Sequence, residues 1–233
     1  MSLLIGFGYQ AQMGKDTAVN HIVAHRSDKL TVKRYALADI LKVEAYDALN
    51  NRLDPLWAFL DTLTPAHGLY YDSVALPKPF AFASPLSDEA KMAWINENKA
   101  ALRLLLQIYG TEYRRKADPF YWVRALGLKI NAEGPQVALI SDMRMLNETY
   151  FIKANDGFTV RVHREDFDNG VSNHTSEQQL SRFEFDYTIS VGEGQIEQLK
   201  QDALEVFDDI IDRCTPEEME TKDFNEESFG VQA

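Results

Sequence analysis

A single cysteine, Cys214, stands in this chain of 233 residues, so neither an internal disulfide nor a cysteine-based metal cluster can form within one molecule. That usage fits a reducing compartment. Long apolar runs are missing as well. No stretch of about 18 apolar residues is present, and the run from Ser2 to Phe7 has no basic leader and is too short for a signal peptide. The expectation is a soluble protein of cytoplasmic type with no membrane partner. Positive charge is scarce, with 24 Lys and Arg against 36 Asp and Glu, a formal net charge of −12. Nonspecific duplex binding depends on neutralising many phosphates, so no nucleic-acid partner is expected. His174 has no second histidine at ligand spacing, and no Gly-x-Ser-x-Gly element supplies a serine nucleophile.

What is present is a 45% hydrophobic chain, long enough for one sizeable core with a small inserted subdomain. Its most informative stretch is Leu3 to Thr17, LLIGFGYQAQMGKDT, an apolar strand running into a glycine-containing loop and then a helix with Ala18, Val19, Ile22 and Val23 at helical spacing. A phosphate chain needs inward backbone N–H groups, a glycine that allows close approach, a lysine ammonium and the positive end of a helix dipole. This segment offers all four. Five residues separate Gly8 from Gly14 where the usual loop has four, so either the loop carries one extra residue or Tyr9 occupies the first glycine's place. Asp16 follows Lys15 and the hydroxyl comes at Thr17, an order more like the nucleoside monophosphate kinases than the GTPases. A glycine turn with an ordinary surface lysine is the structural alternative.

Beyond the loop, strand-like and helix-like segments alternate, which predicts a parallel sheet wrapped by helices. Strands are expected in the apolar run from Leu3 up to the loop at Gly8–Thr17, and at Leu30–Tyr35, Val137–Ser141, Phe158–His163 and Tyr187–Val191. Helices are expected at Asp39–Leu49, Lys99–Tyr109, Pro119–Ile130 after the Asp118 cap, Met145–Ala154 and Gln195–Arg213. From Asn50 to about Leu86 neither period is sustained, and its Pro, Trp, Tyr and Phe content suggests an inserted subdomain or flap. The resulting organisation is a main domain over residues 1–213, an insertion over about 50–98, a lid over 164–182 and an acidic tail over 214–233. From Thr215 onward the tail has six acids against one lysine and reads as mobile.

Three segments add candidate chemistry. Strand Val137–Ser141 leads into Asp142 and Arg144, at the sheet edge where ligands of open α/β folds lie. Asp142 could hold Mg²⁺ through water and Arg144 could grip a phosphate, or the pair could be a helix cap and a surface ion pair. On Lys99–Tyr109, Arg103 and Gln107 share the one polar stripe through an otherwise apolar helix. They meet either a substrate phosphate or water, and Gly110 and Thr111 close the helix. Arg161, Arg164 and Arg182 bracket a polar segment with Asn169, Gly170, Asn173 and Ser176, which is either a lid or a solvated loop.

GKDT at Gly14–Thr17, YALADILK at Tyr35–Lys42, LRLLLQIYGTE at Leu102–Glu112, DPFYWV at Asp118–Val123, SDMRMLNE at Ser141–Glu148 and SEQQL at Ser176–Leu180 follow one another across residues 1 to 212. In that order and spacing the chain resembles the phage-type deoxynucleoside monophosphate kinases, a branch of the P-loop kinases. The resemblance implies an α/β three-layer sandwich, a five-stranded parallel sheet with helices on both faces and an inserted substrate-binding subdomain. It implies Mg²⁺-dependent transfer of the ATP γ-phosphoryl group to a deoxynucleoside 5′-monophosphate. Gly8, Gly14, Lys15, Asp16 and Thr17 would form the ATP site, with Lys15 at the transferring phosphates. Asp16, Thr17 and Asp142 would hold Mg²⁺, partly through water. Arg103 and Arg144 would hold the acceptor phosphate, and Asp142 would orient Mg²⁺ or the acceptor. Glu148 would support Arg144 or the sugar, Trp122 would stack on the base, and Lys42, Gln107 and Gly110 would complete the acceptor side. Arg164 would be the lid arginine. Small nucleotides are then the partners, a homodimer stays open, and the location is the cytoplasm, that of the host if the chain is phage-encoded. A P-loop kinase for another phosphorylated acceptor, phosphomevalonate-like or dephospho-coenzyme A-like, and a non-catalytic ATP-binding protein remain the alternatives.

Overall fold

The computed structural model describes residues 2–51, 53–63, 86–165 and 180–214. The proposed lid residues Asn169, Gly170, Asn173 and Ser176, together with His174 and the tail from Thr215, lie outside them. The described chain forms two compact units, Met1–Leu37 with Val123–Ala233, and Ala38–Trp122.

Five parallel strands build the sheet of the first unit: β1 (Leu3–Gly8), β2 (Val32–Tyr35), β3 (Val137–Met143), β4 (Phe158–Arg164) and β5 (Tyr187–Val191). Their order is β2-β3-β1-β4-β5. The patterns follow from that order. β1 is central and buried along its whole length, whereas edge strand β5 alternates buried and exposed positions. One face packs Leu3, Ile5, Phe7, Val160 and Val162 against α1 (Lys15–Arg26) and the C-terminal helix (Ile196–Arg213), which contributes Leu199, Ala203, Phe207 and Ile210. On the other face, Gly6 lies against Ile152 of the helix Leu146–Ala154. A methyl group at Gly6 would come 2.1 Å from that side chain, so the glycine sets how closely helix and sheet approach. This is the P-loop kinase-like three-layer α/β fold. From β1 the chain passes out to edge strand β2 and returns to β3 on one side of β1, then crosses to β4 and β5 on the other, so the carboxyl end of β1 lies at the point where the strand order reverses.

The second unit is helical where it is described. It holds most of α2 (Leu37–Asn50), then α3 (Pro55–Asp61), α4 (Asp88–Glu97) and α5 (Lys99–Gln107), which continues as a π-helical segment over Ile108–Arg115. The remaining helices are α6 (Tyr121–Glu133), α7 (Leu146–Ala154) and α8 (Ile196–Arg213). α3 was not expected. It has an Asp54 cap on Leu56 N at 2.8 Å and Pro55 in its first turn, but seven residues are too few to display a period. Pro119 does not open a helix. Asp118 instead accepts from Phe120 N in a local turn, and α6 starts at Tyr121. Gly110 and Thr111 likewise fall inside the π-helical segment and do not close α5. No described helix is long and apolar enough to cross a membrane.

Asp186 ties β4 to the segment before β5. Its Oδ2 accepts from both the amide and the hydroxyl of fully buried Thr159 at 2.8 Å, and Lys153 Nζ donates to Oδ1 at 2.8 Å. Partial burial raises its carboxyl, but these hydrogen bonds and the lysine charge outweigh that and hold it below the usual carboxylate range. Asp186→Ala should lower the unfolding free energy by about 1–3 kcal/mol, because Thr159 loses its acceptor in a dry site. Urea denaturation measures this. The carboxylate's contribution is complete above the unfolded-state value of about 4 and disappears as pH falls through the depressed folded value. The difference between wild type and Asp186→Ala should therefore shrink in acid; an unchanged gap at pH 2 would contradict the linkage.

Candidate active site

Gly8 is still a strand residue. It pairs with Met143 and Arg161, and a Cβ there would meet Met143 Cε at 2.6 Å. The loop proper therefore begins at Tyr9, whose φ of 100° is left-handed. That settles the spacing question in favour of Tyr9 in the place of the first glycine. A bulky residue there carries backbone strain of about 1–3 kcal/mol. Gln12 (φ 62°) and Gly14 (φ 94°) are left-handed too.

Gly14 is the N-cap of α1 and no side chain caps that end. The amides of the first turn consequently have no acceptor within the helix, and the dipole adds partial positive charge there. Lys15 is only 6% exposed, and its ammonium donates to the carbonyls of Tyr9 at 3.3 Å and of Gln10. It is folded back into the loop, unlike a surface lysine.

Asp16 and Thr17 are exposed at the start of α1. Asp16 Oδ1 accepts from Ser141 Oγ at 2.8 Å and Arg34 Nη2 at 3.1 Å. Burial raises this carboxyl, yet those two hydrogen bonds and the charges of Arg34 and Lys15 prevail, so it is held below the ordinary carboxylate value and stays ionised. Strands β2 and β3 thus converge near their carboxyl ends on one carboxylate of α1.

Asp142 Oδ1 accepts from Leu37 N at 2.9 Å, where α2 begins, so this aspartate also serves as a cap. Arg144 is half-buried in the turn before α7. Glu148, 4% exposed, accepts from the amides of Arg144 at 2.6 Å and Met145 at 2.9 Å. Its contact with Arg144 is to the backbone, and its burial keeps it from acting as a sugar ligand in this conformation. Arg164 Nη1 reaches the carbonyl of Gln12 at 3.4 Å, which brings this arginine onto the loop before α1.

The second unit corrects two expectations. α5 is half-buried: Leu102 and Leu105 face inward, while Arg103, Leu104 and Gln107 are exposed. Arg103 is thus no buried charge in need of a partner. Trp122 is 2% exposed, donates its indole N–H to Gly110 O at 3.0 Å, and meets Tyr121 edge-on at 5.0 Å. A ring enclosed in this way has no face for a base, and the core-aromatic alternative holds. The Gly110 carbonyl is occupied by the same bond. Lys42 pairs with Asp39 at 3.2 Å.

A family model for deoxynucleotide monophosphate kinase matches residues 56–203, more than half of the chain. The chain belongs to the deoxynucleotide monophosphate kinases. The match spans Arg103, Trp122, Asp142, Arg144, Glu148 and Arg164 but not the loop before α1, so in this kinase the loop stands on its own geometry. No curated protein matches the chain.

The kinase also holds groups that pattern reading passed over. Arg34 comes to Asp16 only because β2 and β3 are neighbours, which no local spacing reveals. In the second unit, Arg114 lies against the rings of Tyr109, Tyr113 and Tyr121, with its guanidinium carbon 4.7–5.3 Å from their centroids. Glu44 accepts from Tyr121 at 2.7 Å and Tyr109 at 3.3 Å. Burial first, then the Glu44 hydrogen bond and charge, push the Tyr121 phenol up to about 12. The π-helical turn is the signal that could have drawn attention to this cluster, since such turns often mark sites of function.

For Mg²⁺ the donor set is suitable. Asp16, Thr17 and Asp142 offer only hard oxygen atoms, and one of the carboxylates is kept ionised. Among the described residues no group of three or more metal-ligating side chains forms a cage.

Proposed function

We propose that this kinase transfers the γ-phosphoryl group of ATP to a deoxynucleoside 5′-monophosphate in the cytoplasm, giving the diphosphate and ADP. The observation that carries the reading is the buried Lys15 ammonium, folded into a loop that ends at the uncapped N-terminus of α1. A tetraanionic donor supplies the acceptors that these amides lack and a counter-charge for the ammonium.

Phosphoryl transfer asks for positioning and charge neutralisation, and no covalent nucleophile is required. Lys15 would bear on the transferring phosphate, and the first-turn amides would cradle the chain. Arg164, already on the loop at Gln12, would neutralise charge that develops on the phosphoryl oxygens. Asp142 is fixed by Leu37 N and Arg144 by the Glu148 bonds at its backbone, so both are held without reorganisation. Arg144 would grip the acceptor phosphate, and Arg103, Gln107 and Lys42 are carried over as acceptor-side residues from the family resemblance. When bound, Mg²⁺ at Asp16, Thr17 and Asp142 would screen the phosphate oxygens and set their orientation.

Steady-state assays with ATP and Mg²⁺ against dAMP, dGMP, dTMP, dCMP, phosphomevalonate and dephospho-coenzyme A test this. Diphosphate should form from at least one deoxynucleotide and from neither of the other acceptors. Arg103→Ala should raise the acceptor KM about tenfold or more with ATP KM little changed. Nucleotide binding without diphosphate product from any of these acceptors would refute the proposed activity. Equal loss towards both substrates would remove Arg103 from the acceptor site.

A further inference from the structure

The phosphate loop is left-handed at two residues that are not glycine, Tyr9 and Gln12. Each is met by an arginine of β4. The Arg161 guanidinium carbon lies 4.0 Å from the centroid of the Tyr9 ring, close enough for a cation–π contact. His163, on the same face of β4, meets that ring edge-on at 5.9 Å. Arg164 donates to the Gln12 carbonyl. Arg161 has a further peculiarity: its Nε is buried and has no hydrogen-bond partner among the described residues. Its contact with Tyr9 is therefore an interaction with the ring face. Tyr9 in turn does two things at once. Its ring rests on Arg161, and its carbonyl accepts from the Lys15 ammonium.

From this we infer that Tyr9 and Arg161 are positioning residues for the donor phosphates: the ring–guanidinium stack fastens the first loop residue to β4, and so directs the Tyr9 carbonyl towards Lys15. A glycine in this place would adopt the same φ without strain but could not be anchored. This chain holds the turn by a side chain, where a glycine loop relies on backbone freedom. The inference rests on the reading that Lys15 and its loop bind the triphosphate of ATP. Neither residue touches the reacting atoms, and the effect passes through the loop backbone.

The test uses the full chain with Tyr9→Ala, Tyr9→Gly, Tyr9→Phe and Arg161→Met. Two measurements are made on each, amide hydrogen exchange over residues 9–17 without nucleotide, and ATP–Mg²⁺ affinity beside acceptor KM. Tyr9→Ala and Arg161→Met should accelerate exchange in the loop and weaken ATP binding about tenfold, with acceptor KM within about twofold. Tyr9→Phe keeps the ring and should restore both readouts. Tyr9→Gly relieves the strained φ yet lacks the ring, and should fall between Tyr9→Ala and wild type. Unchanged loop exchange in Tyr9→Ala, or wild-type ATP affinity in Tyr9→Gly, overturns the inference. If exchange accelerates as expected but the wild-type protein binds no ATP, the fastening stands and the donor-site reading fails.

Discussion

Lys15→Met should lower kcat for the proposed phosphoryl transfer by about a thousandfold and leave the fold intact. The size follows from removing a preorganised positive charge from a site where the transferring group accumulates negative charge, and single donors in such sites are worth about 10²–10³ in rate. The fold survives because the change costs the protein little. The lysine's partners are carbonyls of an open loop at Tyr9 and Gln10, and the methionine stem still fills the space beneath them. Circular dichroism and thermal melting on the same preparation separate the two effects. Turnover near the wild-type rate would remove the loop from the reaction.

Trp122→Ala should destabilise the protein by about 3–5 kcal/mol, the usual loss for deleting a fully buried large aromatic. The indole is enclosed beside Tyr109 and Tyr121, and its N–H satisfies the carbonyl of buried Gly110 within the π-helical turn. Deletion leaves both a cavity and an unpaired acceptor. Trp122→Phe isolates the second loss and should cost less. Acceptor KM in Trp122→Phe should stay within about twofold of wild type if the ring is purely core. A rise of tenfold or more at unchanged stability would return the tryptophan to the base-binding role that its enclosure argues against.

The two cases show where local pattern was informative. Around Gly14-Lys15 the requirement is local: a left-handed residue, an uncapped helix start and a lysine next to it all lie in consecutive positions, so the sequence displays them together. For Trp122 the same amphipathic spacing suits a core ring or an exposed stacking ring, and only burial distinguishes them. For Arg103 the apolar pattern misled about burial. Ala101 and Leu104 made α5 look apolar around its circumference, yet both are exposed, and the arginine faces outward with them. Glu148, expected beside Arg144 or the sugar, accepts from the Arg144 backbone amide, a capping bond that a side-chain argument does not anticipate.

Read alone, the amino-acid order determined the five strands, the principal helices and the glycine-containing loop before α1, since each depends on periodicity or turn chemistry within about a dozen residues. Tertiary structure alone decided that Gly8 belongs to the sheet and Tyr9 to the loop. It alone also brought Arg34 and Ser141 to Asp16, and Arg161 and Arg164 to the loop before α1. These contacts join residues from 18 to more than 150 positions apart, through the lateral order β2-β3-β1-β4-β5. Lateral order is set by which faces bury together across the whole chain, and no short window of sequence contains it.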